Sequence, residues 1–169
     1  MRELFNHRGW RITEESAPLP DGRSKSVVRV HRCDSVHIIA FDAEGRVLVL
    51  REFRPFYGTY VWMLPSGRID KESDRTVAAQ RELQEETGFR AGELTYYCST
   101  RHSESFNSAN HVFIARNLSP SPLPQDEDEL IEVHPLPLAE AIDRVLASEP
   151  VHTASAFALL KYAHERRST

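Results

Sequence analysis

The segment GRIDKESDRTVAAQRELQEETGF, residues 67–89, determines how the rest of the chain is interpreted. Its second part, Asp74–Thr87, carries apolar residues at helical spacing among good helix formers. It is followed by Gly88, and glycine commonly ends helices because it adopts positive φ without strain. The pattern predicts an amphipathic helix over Asp74–Thr87 that stops at Gly88. A short apolar strand, Val61–Leu64, precedes the segment.

Three carboxylates of this helix fall on one side of it. Glu82 and Glu86 are i, i+4 neighbours, and Glu85 lies three residues after Glu82. Like charges at this spacing repel one another, and a divalent cation turns that repulsion into a binding site. Hard carboxylate oxygens suit Mg²⁺ or Mn²⁺, whereas zinc prefers nitrogen and sulfur. The alternative is a solvated, Glu-rich helix face.

The spacing within the segment resembles the signature of the Nudix hydrolase family, Gly-x5-Glu-x7-Arg-Glu-U-x-Glu-Glu-x-Gly-U, where U is aliphatic or aromatic. The matching positions are Gly67, Arg81, Glu82, Leu83, Glu85, Glu86, Gly88 and Phe89. The resemblance implies metal-dependent hydrolysis of a nucleoside diphosphate linked to another group. Metal ions would neutralise the pyrophosphate and lower the pKa of the attacking water.

The same resemblance implies roles for individual residues. Glu82 and Glu86 would be the main metal ligands, and Glu85 would assist as a ligand and in catalysis. The backbone carbonyl of Ser66 would be a further ligand. Three motif residues would be structural: Gly67, Arg81 and Gly88.

One motif position differs, because Ser73 stands where the family has its first Glu. In the family that Glu mainly pairs with the motif Arg and braces the turn before the helix. Glu72 or Asp74 could instead pair with Arg81, and Ser73 could cap the helix. A non-catalytic Nudix module that senses nucleotides is therefore an alternative.

Matches outside the signature resemble the ADP-ribose and nucleoside-diphosphate-sugar pyrophosphatase branch of the family. They are Arg51-Glu52-Phe53-Arg54, Val61–Gly67 and the acidic run Asp126–His134. In that branch an acidic loop before the last strand supplies the catalytic base. Glu127 and Glu129 are the candidates here, and an acidic surface loop is the alternative for either one.

Arg54, and in second place Arg51, would meet the substrate phosphates, since guanidinium groups pair with phosphate oxygens in a bidentate manner. A surface Arg at a strand end is the alternative. Trp10 is a candidate for stacking on the base, with apolar packing as an equal alternative. The eight histidines show no close ligand pairing and are interpreted as structural or exposed.

The substrate expected from the resemblance is a nucleoside diphosphate sugar, such as ADP-ribose or GDP-mannose, cleaved to a nucleoside monophosphate and a sugar phosphate. ADP-ribose-specific members tend to carry a Pro about 15 residues after the motif, whereas residues 101–107 read RHSESFN. That difference weakens ADP-ribose in particular. A nucleoside triphosphate pyrophosphohydrolase is the enzymatic alternative.

Strands alternating with a few helices predict an α/β (α+β) fold, and the resemblance specifies a Nudix α/β/α sandwich with a mixed sheet and N-terminal antiparallel strands. The three prolines of Asn117–Pro124 predict a loop. The remaining predicted strands are Gly9–Ser16, Ser24–Arg32, Val36–Asp42, Arg46–Glu52, Glu93–Ser99, His111–Arg116 and Leu130–His134, and the remaining helices are Pro137–Ala147 and Thr153–Arg166.

The chain is expected to be a single Nudix domain over residues 1–169. Residues 1–32 would form the N-terminal strands, a candidate dimerisation element, and residues 33–169 the catalytic core. By analogy with the branch, we expect a homodimer.

Composition restricts the function class further. The 169 residues are 40% hydrophobic and 27% charged, as in ordinary globular proteins, and the net charge of −4 argues against broad capture of nucleic acid. The longest apolar runs fall far short of the roughly 20 residues of a membrane span. Cys33 and Cys98 lack metal spacing, and no leader peptide is visible, so we expect a cytoplasmic protein that binds neither nucleic acid nor membrane.

Overall fold

The computed structural model describes residues 1–70, 74–125 and 129–167. These residues form eleven strands and three helices, in the order β1 (Arg2–His7), β2 (Trp10–Pro18), β3 (Ser24–His31), β4 (Ser35–Ala40), β5 (Val47–Arg54), β6 (Thr59–Met63), β7 (Ser66–Arg68), α1 (Arg75–Thr87), β8 (Phe89–Arg101), β9 (Phe106–Asn107), β10 (Ala109–Pro120), β11 (Ile131–Leu136), α2 (Leu138–Leu146) and α3 (Thr153–Arg167).

The strands form three sheets, two of them mixed. The central sheet has the order β7-β4-β10-β8, in which β4 and β10 run parallel and the other pairs are antiparallel. The second sheet, β11-β5-β6, is antiparallel throughout. The N-terminal sheet has the order β1-β2-β3-β9, with β1, β2 and β3 antiparallel.

Strand β4 is buried on both faces and so separates two helical layers. Val36, Ile38 and Ala40 pack in a core cluster with residues of α1. Ile39 and Phe41, on the opposite face, pack in a second cluster with residues of α2 and α3. This follows from the two-residue period of a strand, which points successive side chains to opposite faces. The predicted α/β/α sandwich with a mixed sheet and N-terminal antiparallel strands is confirmed.

Most predicted elements lie within a few residues of the observed ones, but the predicted loop Asn117–Pro124 is wrong at its start. Strand β10 continues to Pro120 and pairs with β8 over that stretch, with Pro120 opposite Phe89. Beyond Ala115, β10 no longer pairs with β4. Pro120 is the last residue of the strand, where a missing N–H removes little pairing.

Strand β1 was not predicted. Every residue of Arg2–His7 is exposed, so the segment has no alternating apolar pattern to mark it as a strand. It pairs with β2 alone. The short strands β7 and β9 were also not predicted. None of the described helices combines the length and the apolar character that a membrane span requires.

Candidate active site

Helix α1 carries the carboxylates of the site and is capped at both ends. At its start the side chain of Asp74 accepts a hydrogen bond from the backbone N–H of Thr76 at 2.7 Å. At its end Gly88 adopts φ of 77° and its N–H donates to the carbonyl of Gln84. Asp74 therefore takes the capping role proposed for Ser73, which lies outside the described residues.

Helix α1 borders a cavity of about 720 Å³. One end of the cavity, which we call the acidic end, is lined by five carboxylates: Asp70, Glu82, Glu85, Glu86 and Glu129. A second group of lining residues, which we call the histidine end, consists of Ser35, His37, His102, Asn110, His152 and Thr153. Arg54 and Arg68 also line the cavity. Its volume lies in the range of small-molecule sites.

Glu82 is 9% exposed, and its Oε1 accepts from Arg81 Nη2 at 2.7 Å. The pKa of Glu82 is raised to about 7, mainly by burial; the nearby carboxylates of Glu85 and Glu129 contribute to the rise, and Arg81 opposes it. Burial has this effect because a low-dielectric environment disfavours the ionised form. Glu82 is therefore a carboxylate that a nearby cation would stabilise strongly.

Glu86 is buried more deeply, at 6% exposed. Its Oε2 accepts from the backbone N–H of Ser66 at 2.7 Å, which joins the end of α1 to the start of β7. Burial raises the pKa of Glu86 well above its ordinary value. The Ser66 hydrogen bond opposes that shift, and the charges of Glu82, Glu52 and Glu129 add to it.

Arg81 holds the acidic end together. Its guanidinium pairs with Glu82 and with Glu85, which is one turn further along α1. Its Nη2 also donates to the carbonyl of Arg68 at 3.5 Å. Of the two partners expected for Arg81 from the sequence, Asp74 instead caps α1, and Glu72 lies outside the described residues.

Strand β5 brings one of the two predicted arginines into the cavity. Arg54 lines the cavity, and its Nη1 pairs with Glu52 Oε1 at 2.8 Å. Arg51 is not among the lining residues; it pairs with Glu132 at 2.9 Å, and its guanidinium lies 3.9 Å from the ring centre of Tyr60. Because side chains alternate along a strand, Arg51 and Arg54 point to opposite faces of β5.

Glu52 is a buried carboxylate that the sequence analysis did not select. It is 4% exposed, and its Oε2 has no hydrogen-bond partner among the described residues. Burial raises its pKa, and Arg54 opposes the shift. It acts electrostatically on Glu86. Its position two residues before Arg54 on the same face of β5 is the signal that could have found it.

The candidates for the catalytic base are only partly described. Glu129 lines the acidic end of the cavity, and its charge acts on both Glu82 and Glu86. Glu127 lies outside the described residues.

Trp10 lies at the start of β2 and is 43% exposed. It is not among the residues that line the cavity. The guanidinium of Arg32 lies 4.0 Å from its ring centre. In this chain alone, therefore, Trp10 is separate from the carboxylates of α1.

Sequence reasoning missed His37 and His152, because it found no close pairing among the histidines. His37 on β4 and His152 just before α3 have ring centres 5.5 Å apart. His37 shares its face of β4 with Ile39 and Phe41, the face that packs against α3. Nothing in the local sequence joins the two residues, because only the packing of α3 on β4 brings them together.

The side chains at the acidic end are arranged around protein partners. Arg81 engages Glu82 and Glu85, and the N–H of Ser66 engages Glu86. Within residues 1–70, 74–125 and 129–167, no three His, Cys, Asp or Glu side chains are grouped closely enough to hold a metal ion as they stand. Binding of a cation there would require these carboxylates to turn from their present partners.

Comparison with known proteins relates this geometry to established families. The chain is 29% identical over 160 residues to the ADP-ribose pyrophosphatase of Bacillus subtilis (strain 168), covering 93% of this chain and 86% of that one. It is 27% identical over 146 residues to the methanol dehydrogenase activator of Bacillus methanolicus, covering 85% and 79% of the two chains.

The fold comparison agrees with the sequence comparison. A crystal structure of an ADP compounds hydrolase superposes with a TM-score of 0.75 at 23% identity, covering 98% of this chain and 92% of that one. The family profile described as the NUDIX domain matches residues 31–157, a range that includes every residue found to line the cavity. The chain therefore belongs to the Nudix family.

Proposed function

We propose that this chain hydrolyses the pyrophosphate of a nucleoside diphosphate sugar, with a divalent cation, to a nucleoside monophosphate and a sugar phosphate. The observation that carries the proposal is the cavity itself. Buried carboxylates of α1 line one end, and Arg54 and Arg68 supply positive charge beside them. The relatives named as ADP-ribose pyrophosphatases support a nucleotide sugar as the substrate class.

The acidic end fits Mg²⁺ or Mn²⁺ as the cofactor. Glu82 and Glu86 are buried close together, and both have raised pKa values because their ionised forms are unfavourable there. A bound cation would stabilise the ionised carboxylates. Carboxylate and carbonyl oxygens are the ligands that these hard cations prefer. Glu82, Glu86, Glu85 and the carbonyl of Ser66 would hold the metal. When bound, such a cation neutralises phosphate charge and makes water more acidic.

The side chains around the cation would bind the substrate, accept a proton and position the metal ligands. Arg54 would bind and orient a phosphate group, because a guanidinium forms two parallel hydrogen bonds with phosphate oxygens. Glu129 would accept the proton of the attacking water, with Glu127 as the alternative base. Arg81 would position Glu82 and Glu85 from behind.

We further propose a homodimer formed through the N-terminal sheet. Apolar side chains of β1, β2 and β3 are exposed there: Leu4, Phe5, Trp10 and Val28. Such a patch favours burial against a partner. Cys33 and Cys98 are free thiols, which supports a reducing compartment such as the cytoplasm.

A substrate panel tests the proposed function. ADP-ribose, GDP-mannose, UDP-glucose and ADP-glucose would each be incubated with Mg²⁺ or Mn²⁺, and phosphate released by added phosphatase would report the monophosphate products. ATP would be followed by separating its products, since the phosphatase attacks ATP itself. A chelator provides the matched control for each reaction.

The expected result is faster cleavage of at least one nucleotide sugar than of ATP, lost on chelation. Faster cleavage of ATP would instead favour a triphosphate pyrophosphohydrolase. Nucleotide binding with no turnover of any substrate would identify a non-catalytic sensor, and Ser73 would then be the natural position to investigate.

A further inference from the structure

The histidine end of the cavity has a hydrogen-bonding pattern that specifies its ligand. His37 is 4% exposed, and its Nε2 lies 3.2 Å from Ser35 Oγ. Ser35 Oγ donates its own hydrogen to Asn110 Oδ1 at 2.7 Å, and Asn110 Nδ2 donates to Thr100 Oγ1. Because Ser35 has one hydrogen and has already used it, Ser35 accepts from His37, and the Nε2 atom of His37 carries the proton.

The other nitrogen of His37 is therefore an acceptor. The pKa of His37 is lowered to about 3, mainly by burial and in part by the neighbouring His152, so the ring is neutral near pH 7 and bears one proton. Nδ1 then presents a lone pair. No N–H or O–H among the described residues donates to it. A buried acceptor without a donor is costly, and because His37 lines the cavity, the acceptor indicates the chemistry of the missing partner. Nδ1 itself is closed to solvent in this structure, so a ligand would reach it by displacing a neighbouring side chain.

His152 presents the complementary group. Its Nδ1 lies 2.7 Å from Ser155 Oγ, and that oxygen already accepts from the backbone N–H of Leu64 at 2.9 Å. The Ser155 hydroxyl has no other acceptor among the described residues, so we infer that it donates its hydrogen to His152 Nδ1, which leaves the proton of the neutral ring on Nε2. Burial lowers the pKa of His152 to about 4, so this ring is also neutral near pH 7.

An acceptor and a donor on two neutral rings suit a hydroxyl group, which both donates and accepts. A phosphate oxygen suits them poorly, because it brings no hydrogen for His37 Nδ1 and its charge is not matched by a neutral imidazole. We propose that His37 and His152 form the sugar-binding subsite, in which His37 Nδ1 accepts a hydrogen bond from a sugar hydroxyl. This rests on the proposed function, because it assumes that the acidic end binds the pyrophosphate.

The subsite can be tested with ligands that contain no pyrophosphate and are therefore not hydrolysed. Binding of ribose 5-phosphate, glucose 1-phosphate, mannose 1-phosphate and inorganic phosphate would be measured by calorimetry with Mg²⁺ present. We expect at least one sugar phosphate to bind more tightly than inorganic phosphate. Equal affinity for all four ligands would overturn the proposal.

Two variants of His37 distinguish the roles of its two ring nitrogens. In His37→Asn the side-chain oxygen reaches the position of Nδ1 and keeps an acceptor there. In His37→Gln the terminal amide reaches the position of Nε2, and the acceptor at Nδ1 is lost. Losing one such hydrogen bond should weaken binding of the preferred sugar phosphate by about 10-fold in His37→Gln. The loss should be smaller in His37→Asn, and inorganic phosphate should bind all forms equally.

His134→Gln is the matched control, because His134 is not among the residues that line the cavity and packs against Trp62 with ring centres 4.8 Å apart. Circular dichroism and thermal unfolding would confirm that each variant is folded. Equal weakening by His37→Asn and His37→Gln, or equal weakening for inorganic phosphate, would overturn the proposal. His37-dependent sugar-phosphate binding without turnover of any nucleotide sugar would overturn the proposed function alone.

Discussion

The carboxyl group of Glu82 occupies the space beside the Cα of Gly67, so that a Cβ built on Gly67 would lie 2.0 Å from Glu82 Cδ. Strand β7 and helix α1 approach each other this closely because residue 67 has no side chain. The glycine is required by the position of the carboxylate, and Glu82 in turn is held by Arg81. This contact couples the loop before α1 to the proposed metal site.

The first prediction follows from that contact. In Gly67→Ala the new methyl group would displace the Glu82 carboxyl, and we expect kcat/KM to fall by about 100-fold, as for other misplacements of about 1 Å. The free energy of unfolding should change by about 1 kcal/mol or less, because the displaced atoms are the end of a flexible side chain. Steady-state kinetics and urea unfolding would measure the two effects.

Gly45→Ala is the control with the opposite outcome. Gly45 has φ of 76°, and a Cβ built there would have no atom within 4 Å. The substitution therefore strains the backbone without causing a steric clash. It should lower the free energy of unfolding by about 1 kcal/mol and leave kcat/KM unchanged. Normal activity in Gly67→Ala would contradict the role given to Glu82.

The second prediction concerns the cap of α1. Asp74→Ala removes the acceptor for the Thr76 N–H, and we expect the free energy of unfolding to fall by about 1 kcal/mol. Asp143→Ala, an exposed change on α2, is the control and should have little effect. Urea unfolding of both variants makes the comparison, and equal stability of the two would show that Asp74 does not cap the helix.

Helix α1 shows what can be predicted from sequence. Its apolar spacing and Gly88 after it are local signals, and the observed helix agrees with them, except that it begins at Arg75 with Asp74 as its cap. The motif spacing likewise identified Glu82 and Glu86 as neighbours, since the i, i+4 relation is a property of any α-helix.

The histidine end shows why the rest could not be predicted. His37 and His152 lie far apart along the chain and meet only because α3 packs on one face of β4. Their hydrogen-bond partners, Ser35 and Ser155, carry no motif. Strand β1 likewise lacks an apolar pattern, because all of its residues are exposed.

The third prediction separates the two arginines of β5. Arg54 lines the cavity, so Arg54→Ala should lower kcat/KM by about 10-fold to 100-fold, the loss expected for a charged hydrogen bond to substrate. Arg51 pairs with Glu132 outside the cavity, so Arg51→Ala should have a smaller effect. Steady-state kinetics with one nucleotide sugar would compare kcat/KM of the two variants. The reverse order would indicate that Arg51 reaches an active site across a dimer.

The fourth prediction concerns pH and metal. The pKa of Glu82 is raised to about 7 in the folded protein, so the folded state binds more protons than the unfolded state between about pH 4.5 and about pH 7. The contribution of Glu82 to stability is thus present at low pH and is lost as pH rises through about 7. Without metal, Glu82→Gln should therefore gain stability relative to the unsubstituted protein as pH rises.

Added Mg²⁺ should have its larger effect where the carboxylates are ionised. We expect it to raise the midpoint of thermal unfolding more at about pH 8 than at about pH 5, because protons compete with the cation for the same oxygens. Glu82→Gln should lose most of this response. A stability difference between the two proteins that does not vary with pH would refute the raised pKa of Glu82.

The most direct measurement compares turnover of the preferred nucleotide sugar by the unsubstituted protein, Glu82→Gln and Glu93→Gln, each with Mg²⁺ and with a chelator. Glu93 is exposed on β8 and does not line the cavity, so it is the matched control. We predict full activity in Glu93→Gln and loss of about 100-fold or more in Glu82→Gln and on chelation. Substantial turnover by a folded Glu82→Gln protein, or turnover unaffected by the chelator, would contradict metal-dependent hydrolysis at α1.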